Sequence, residues 1–123
     1  MNISDAYNVC HSNGTNVRLA ILDTFSTFAD VTEFLLQDFR YQDSTFWVSI
    51  VNTTESYVWT NNVTVEASFW SSGQPDGFAG CVALARFISW SFDRMLLYTE
   101  SCDNNRTFAL CQFFAAETGK ANT

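Results

Sequence analysis

Four cysteines, Cys10, Cys81, Cys102 and Cys111, constrain this 123-residue chain more than any other feature. They form an even set with no Cys-x-x-Cys pair, so the spacing of a zinc ribbon or a thioredoxin-type site is missing and disulfides are the simpler reading. Four cysteines allow three connectivities, and their positions do not choose among them. Five Asn-x-Ser/Thr glycan acceptors, at Asn2, Asn13, Asn52, Asn62 and Asn105, speak to the compartment. Ten Asn in a chain with 25 Ser and Thr would give about two such acceptors by chance, so five is an excess. Paired cysteines and glycan acceptors both belong to the secretory pathway, and the expected localisation is secreted or extracellular. Residues 1–30 hold no long apolar run of the signal-peptide kind, and nothing approaches the ~20 apolar residues of a membrane span. The chain reads as a mature protein or an excised ectodomain.

Composition bounds the core. Twelve Phe, four Trp and four Tyr are available, and each ring can remove about 150–250 Å² from water. With 47% apolar residues, one compact domain over residues 1–123 can form without help from a cofactor. A single Pro and no low-complexity tract exclude disorder, collagen-like repeats and a two-domain layout. The formal charge is −7, and the cations Arg18, Arg40, Arg86, Arg94, Arg106 and Lys120 are scattered singly. Such a surface repels phosphate backbones, so nucleic acid is excluded as a partner.

Local signals give an order of elements. Ser4-Asp5 before Ala6, Val9 and Cys10 predicts a short helix, with Ala6 and Cys10 on one face and the loop 12–16 ending it. Val17 to Leu22 is strand-like. Thr27-x-x-Asp30 is a capping-box signal ahead of Val31, Phe34, Leu35 and Phe39 at helical spacing. From Phe46 the pattern turns to β: Phe46 to Val51, Tyr57 to Trp59, Cys81 to Leu84, Met95 to Tyr98 and Thr107 to Gln112. Two helices followed by five short strands predict an α+β fold. Between Thr60 and Gly80 lies a long irregular stretch with Trp70, Pro75 and Phe78, the kind of loop that is functional or held by its own aromatic side chains.

This order resembles the C-type lectin-like domain. The resemblance rests on helix-borne Cys10, Phe46-Trp47-Val48-Ser49-Ile50, Tyr57-Val58-Trp59, Phe69-Trp70-Ser71-Ser72-Gly73-Gln74-Pro75-Asp76-Gly77, Cys81-Val82-Ala83-Leu84, Cys102 and Phe108-Ala109-Leu110-Cys111. It covers nearly the whole chain, and its most specific part is the Trp-x-x-Gly-Gln-Pro-Asp run. It implies two helices, two small antiparallel sheets, a long loop, and the bridges Cys10–Cys111 and Cys81–Cys102. The resemblance also implies an initial strand before the first helix; residues 1–4 are too few to supply it, so the expectation is that it is missing or was left out of this sequence.

The resemblance also implies a candidate site. Sugar-binding members hold Ca²⁺ in the long loop, on six to eight oxygens. Here Gln74 and Asp76 fall on two metal-ligand positions, flanking Pro75, which the family commonly holds in a cis peptide; a Gln-Pro-Asp order goes with galactose-type preference. The other ligand positions read Ala79 and Leu97-Tyr98-Thr99, which leaves one charged ligand, Asp76. The expectation is therefore no resident cofactor and a degraded calcium site, with Asp93 or Glu100 as the only candidates to complete it. Pro75 is then a rigid loop turn. Trp47, Trp59 and Trp70 are expected in the core. Trp90 and Phe92, in the alternating segment 86–94, are either an ordinary hairpin strand or an exposed ligand-binding patch.

An enzyme is not expected. His11 is the sole histidine, its neighbour Cys10 belongs to the disulfide set, and no nucleophile pair or glycine-rich phosphate loop is present. The leading expectation is a calcium-independent recognition module for an extracellular protein or other ligand, with Gln74, Asp76, Trp90 and Phe92 as candidate contacts. The alternatives are a calcium-dependent galactose-type lectin using Gln74 and Asp76, and a structural domain of a larger ectodomain.

Overall fold

The computed structural model describes residues 1–53, 56–76, 80–90 and 92–114. Helix α1 spans Ile3–Ser12. Its cap is Asn2, whose side chain accepts from the Asp5 amide at 2.9 Å, so the helix starts ahead of the Ser4 start read from the sequence. Ala6 and Cys10, one turn apart, form its buried face. Helix α2 spans Phe25–Gln37 and is capped by Thr24, not Thr27: the Thr24 hydroxyl accepts from the Thr27 amide at 3.1 Å. Its buried stripe is Phe28, Thr32 and Leu35, with the Thr32 hydroxyl satisfied by the Phe28 carbonyl at 2.7 Å. Phe34 and Phe39, expected on the inner face, are 61% and 86% exposed. Phe34 falls off the 28, 32, 35 stripe, and Phe39 lies beyond the Asp38 cap.

Eight strands follow the chain: β1 Val17–Leu19, β2 Phe46–Trp47, β3 Ile50–Asn52, β4 Tyr57–Trp59, β5 Gly80–Ser89, β6 Phe92–Ser101, β7 Phe108–Ala109 and β8 Cys111–Phe113. The run from Phe46 to Val51 is two strands because the chain changes partners at Ser49, whose amide donates to the Ala20 carbonyl at 2.8 Å. Three sheets result where two were expected. β1 pairs with β8; β6, β5, β2 and β7 form a four-stranded sheet in that order; β3 pairs with β4. All pairs are antiparallel except β2 with β7.

Both bridges pair as the resemblance implied. Cys10–Cys111 joins α1 to β8 across 101 residues, and Cys81–Cys102 joins β5 to the turn after β6 across 21. In the chain-entropy model a loop of the first length contributes about 4–5 kcal/mol by restricting the unfolded chain. The first bridge lies at the β1–β8 register, where Leu19 faces Cys111.

The core has two parts, one on each face of β5–β6. Val82, Leu84, Met95 and Leu97 pack with Phe28 and Leu35 of α2 and with Trp59. Ala83 packs with Ala6, Cys10 and Trp47 beneath α1. Trp47 and Trp59 are fully buried, as expected, and the Trp47 indole donates to the Met1 carbonyl at 2.8 Å. Trp70 is only half-buried, at the edge of the core.

Candidate functional site

The stretch from Thr60 to Asp76 has almost no ladder of its own, so its shape comes from being pinned at separate points. The Val65 amide donates to the Tyr57 carbonyl at 3.2 Å, and the Phe69 ring stacks on Phe28 at 3.9 Å. The Ser71 amide donates to the Leu97 carbonyl at 2.9 Å, which lays the loop along the outer edge of β6. Gly73, at φ +81°, takes the left-handed turn that a side chain would resist. The Gln74–Pro75 peptide that follows is cis.

Past this turn Gln74 and Asp76 come together, and what they meet is Thr99. The Thr99 amide donates to Gln74 Oε1 at 3.0 Å. The Thr99 hydroxyl lies 2.8 Å from the same oxygen and is also hydrogen-bonded to Asp76 Oδ1. A hydroxyl has one proton, so the arrangement that satisfies every group sends the amide proton to Gln74 and the hydroxyl proton to Asp76. Thr99 is 7% exposed and faces Val82 across the ladder. The turn is therefore clasped to the sheet by a donor residue.

These residues do not fit a calcium ion. Calcium asks for six to eight hard oxygens, several of them charged. Gln74 and Asp76 bring one carboxylate, and their oxygens already converge on Thr99. Neither candidate for completing the set reaches it. Asp93 lies at the far end of the hairpin, with both oxygens 2.7 Å from Arg86, whose hydrogen bonds and then charge hold its carboxyl below the usual range. Glu100 follows Thr99 and so points to the other face of β6, where its oxygens accept from the Tyr98 hydroxyl at 3.0 Å and the Ser101 amide at 2.8 Å. Among the described residues no three His, Cys, Asp or Glu side chains cluster. Gly77, Phe78 and Ala79 lie outside the described residues.

The other candidates sit elsewhere. Trp90 is at the turn of the β5–β6 hairpin, fully exposed, with Phe92 opposite Ser89 and 38% exposed. The 86–94 segment is thus the far end of one hairpin with two ten-residue strands, and Ser91 lies outside the described residues. Arg86 ties this end to the turn after α2, reaching Asp43 at 3.1 Å and Gln42 at 3.2 Å. Asn13, Asn52, Asn62 and Asn105 are exposed, while Asn2 caps α1 through Oδ1 and leaves its nitrogen for modification; Thr54 of the Asn52 acceptor lies outside the described residues. His11 is exposed and Cys10 is bridged, so the two form no nucleophile pair. No helix among the described residues is long and apolar enough to cross a membrane.

Reading the sequence missed Thr99 as a site residue and Tyr57 as a neighbour of the turn. The Tyr57 hydroxyl is buried with no hydrogen-bond partner among the described residues, and burial, then the charge of Asp76, pushes its pKa up. Thr99 could have been found from its place three residues before Cys102, where it replaces a carboxylate of the family's ligand set.

The sequence matches the family model described as Lectin C-type domain over residues 1–113. Among solved structures, a variant of the human regenerating gene type IV protein is 21% identical, with 93% of this chain and 83% of that one covered at a TM-score of 0.67. EMS16, described as an antagonist of the collagen receptor integrin alpha2beta1, is 17% identical, covering 94% and 85% at a TM-score of 0.59. SPL-1, in complex with GlcNAc, is 14% identical, covering 89% and 77% at a TM-score of 0.67. No curated protein matches the sequence. At these identities the structural likeness is one of fold, and the family follows from the sequence match. Matched from its first residue to its last strand, and carrying both bridges and the cis-proline turn, the chain belongs to the C-type lectin domain family.

Proposed function

We propose that this domain is an extracellular, non-enzymatic recognition module that binds its ligand without calcium. The observation that carries the reading is the Thr99 clasp: the two side chains that would begin a calcium site are held by a hydrogen-bond donor and hold a loop in place. Oxygens used in this way leave one carboxylate, too little charge to strip water from a divalent ion. The clasp in turn gives the module a rigid loop, and a rigid loop loses little entropy when a partner docks. The fold accommodates both classes of partner, since SPL-1 holds GlcNAc and EMS16 antagonises an integrin. Disulfides and an excess of glycan acceptors support the extracellular setting.

The test is a calcium titration by calorimetry on protein from a secretory host, paired with thermal unfolding in calcium and in chelator. The expected result is no saturable heat and the same melting temperature in both. Saturable binding with a raised melting temperature would overturn the reading and return Gln74 and Asp76 to the galactose-type alternative.

A further inference from the structure

Strand β6 is the outer strand of the four-stranded sheet, and only half of its free edge is covered. Along a strand, N–H and C=O groups point alternately to one neighbour and to the other. The Leu97 carbonyl accepts from the Ser71 amide and the Thr99 amide donates to Gln74, so these two residues turn their backbone groups toward the long loop. The same alternation sends the backbone groups of Asp93 and Met95 outward, where they meet no partner among the described residues. Met95 is 1% exposed and lies within a groove. Buried N–H and C=O groups are almost always paired, so the bare stretch marks a place that another strand or water completes.

That groove, of about 360 Å³, runs between α2 and the β6 edge. Phe25, Phe28, Leu36 and Phe69 make its apolar wall, with Phe25 60% exposed and set edge-on to Phe69 at 5.4 Å. Arg94 stands at the rim. It follows Asp93 in the strand and so turns to the opposite face of the sheet from Met95. Its guanidinium makes no ion pair or hydrogen bond among the described residues, whereas that of Arg86 holds Asp43 and Asp93. Glu33 borders the groove on the α2 side. A strand laid on this edge therefore meets an apolar wall on one face and an unpaired cation on the other.

The geometry points to the open edge at Asp93 and Met95 as a docking site for an extended segment of a partner protein, added to the sheet as a further strand, with apolar side chains turned toward α2 and an acidic one opposite Arg94. The assignment rests on the recognition-module reading above and adds the partner class and the place; it uses neither Gln74 nor Asp76. A second copy of this chain fits poorly. The register that joins Asp93 of each copy to Met95 of the other sets Arg94 against Arg94, and like charges opposed across a ladder are destabilising. Neither α2 nor the two strands of the β5–β6 hairpin carry a glycan acceptor, so no N-glycan grows from the elements that frame the edge.

Amide-resolved NMR titration tests it with two capped peptides, Val-Glu-Leu-Glu-Val and Val-Lys-Leu-Lys-Val, in EDTA and in calcium. The expected result is a saturable shift of the Asp93 and Met95 amides in EDTA, with the acidic peptide binding at least about fivefold more tightly than the basic one. Arg94→Glu should reverse that order, and Arg106→Glu, at an exposed cation outside the groove, should leave it unchanged. A preference that Arg94→Glu does not reverse overturns the assignment. N-methylation of the peptide at one alternate set of residues, either Val and Leu or Glu, should abolish binding and at the other set should spare it, because only one set faces β6. Loss with both sets, or with neither, overturns strand addition. Asp93 and Met95 shifts that grow with protein concentration alone give the edge to a second copy and overturn the partner assignment. No shift with either peptide overturns the edge assignment and leaves the calcium-free reading to the calorimeter. Shifts that appear only with calcium overturn both.

Discussion

The two ends of strand β6 lie on one uninterrupted ladder and do opposite things. At one end Thr99 is buried and pins the cis-proline turn, with Cys81–Cys102 closing the sheet just beyond it. At the other, Phe92 and the adjoining Trp90 stand in solvent, and Ile88 beside them is 68% exposed. Residue type alone would assign them the other way, with polar Thr99 outward and aromatic Trp90 inward; Gln74 is half-buried and Asp76 stays exposed. The difference shows that an oxygen-rich motif is available to a ligand only if no donor of the protein's own has taken it.

Breaking the anchored end should cost most. Replacing Cys81 and Cys102 together by Ser should lower stability by about 2–4 kcal/mol in denaturant unfolding, since the bridge closes a 21-residue interval at the base of the hairpin. Thr99→Val keeps the shape and removes the hydroxyl, leaving Asp76 without that donor. A loss of about 1–3 kcal/mol is expected from the denaturation midpoint, and an unchanged midpoint would show that the clasp holds nothing.

Tyr98, next to Thr99 in β6, sharpens the comparison through pH. Burial, followed by the charge of Glu100 and the bond to it, pushes its hydroxyl up to about 12. A folded-state pKa above the unfolded value near 10 means the stabilisation is complete below pH ~10 and is lost as pH rises toward 12. Denaturation midpoints should fall across that window, and in Tyr98→Phe the fall should be shallower. Trp90→Ala should do least, shifting stability by less than about 0.5 kcal/mol. It should nevertheless remove most of the fluorescence that acrylamide quenches readily, since Trp47 and Trp59 are fully buried and Trp70 half-buried.

Much of the fold was legible. Ala6 and Cys10 shared a helix face as their spacing required, Trp47 and Trp59 filled the core, and the bridges followed the family resemblance. Helix α2 was legible as a helix but not in its phase. Thr24 and Thr27 are equally good caps by type, and the earlier one wins because it starts the helix so that Phe28, Thr32 and Leu35 face the sheet. Phe34 shows the limit of a local period: several helical stripes can be drawn through an aromatic-rich segment, and only packing against β6 selects one.

The candidate site was legible in half. Gln74, Pro75 and Asp76 stood out because the chain brings them together by itself, within three residues. Thr99 lies 23 residues beyond Asp76, and Tyr57 and Trp70 are 13 apart; no local pattern links such pairs. The sequence by itself determined what depends on neighbours and on residue type: the helical and strand periods, the oxidised cysteines, the acidic charge, and a set of metal ligands one carboxylate deep. Only the tertiary structure decided which donor would meet those ligands and which rings, Tyr57 and Trp70, would meet edge to face beside the turn. Those contacts exist only once two disulfides and a shared core bring distant strands within hydrogen-bonding reach.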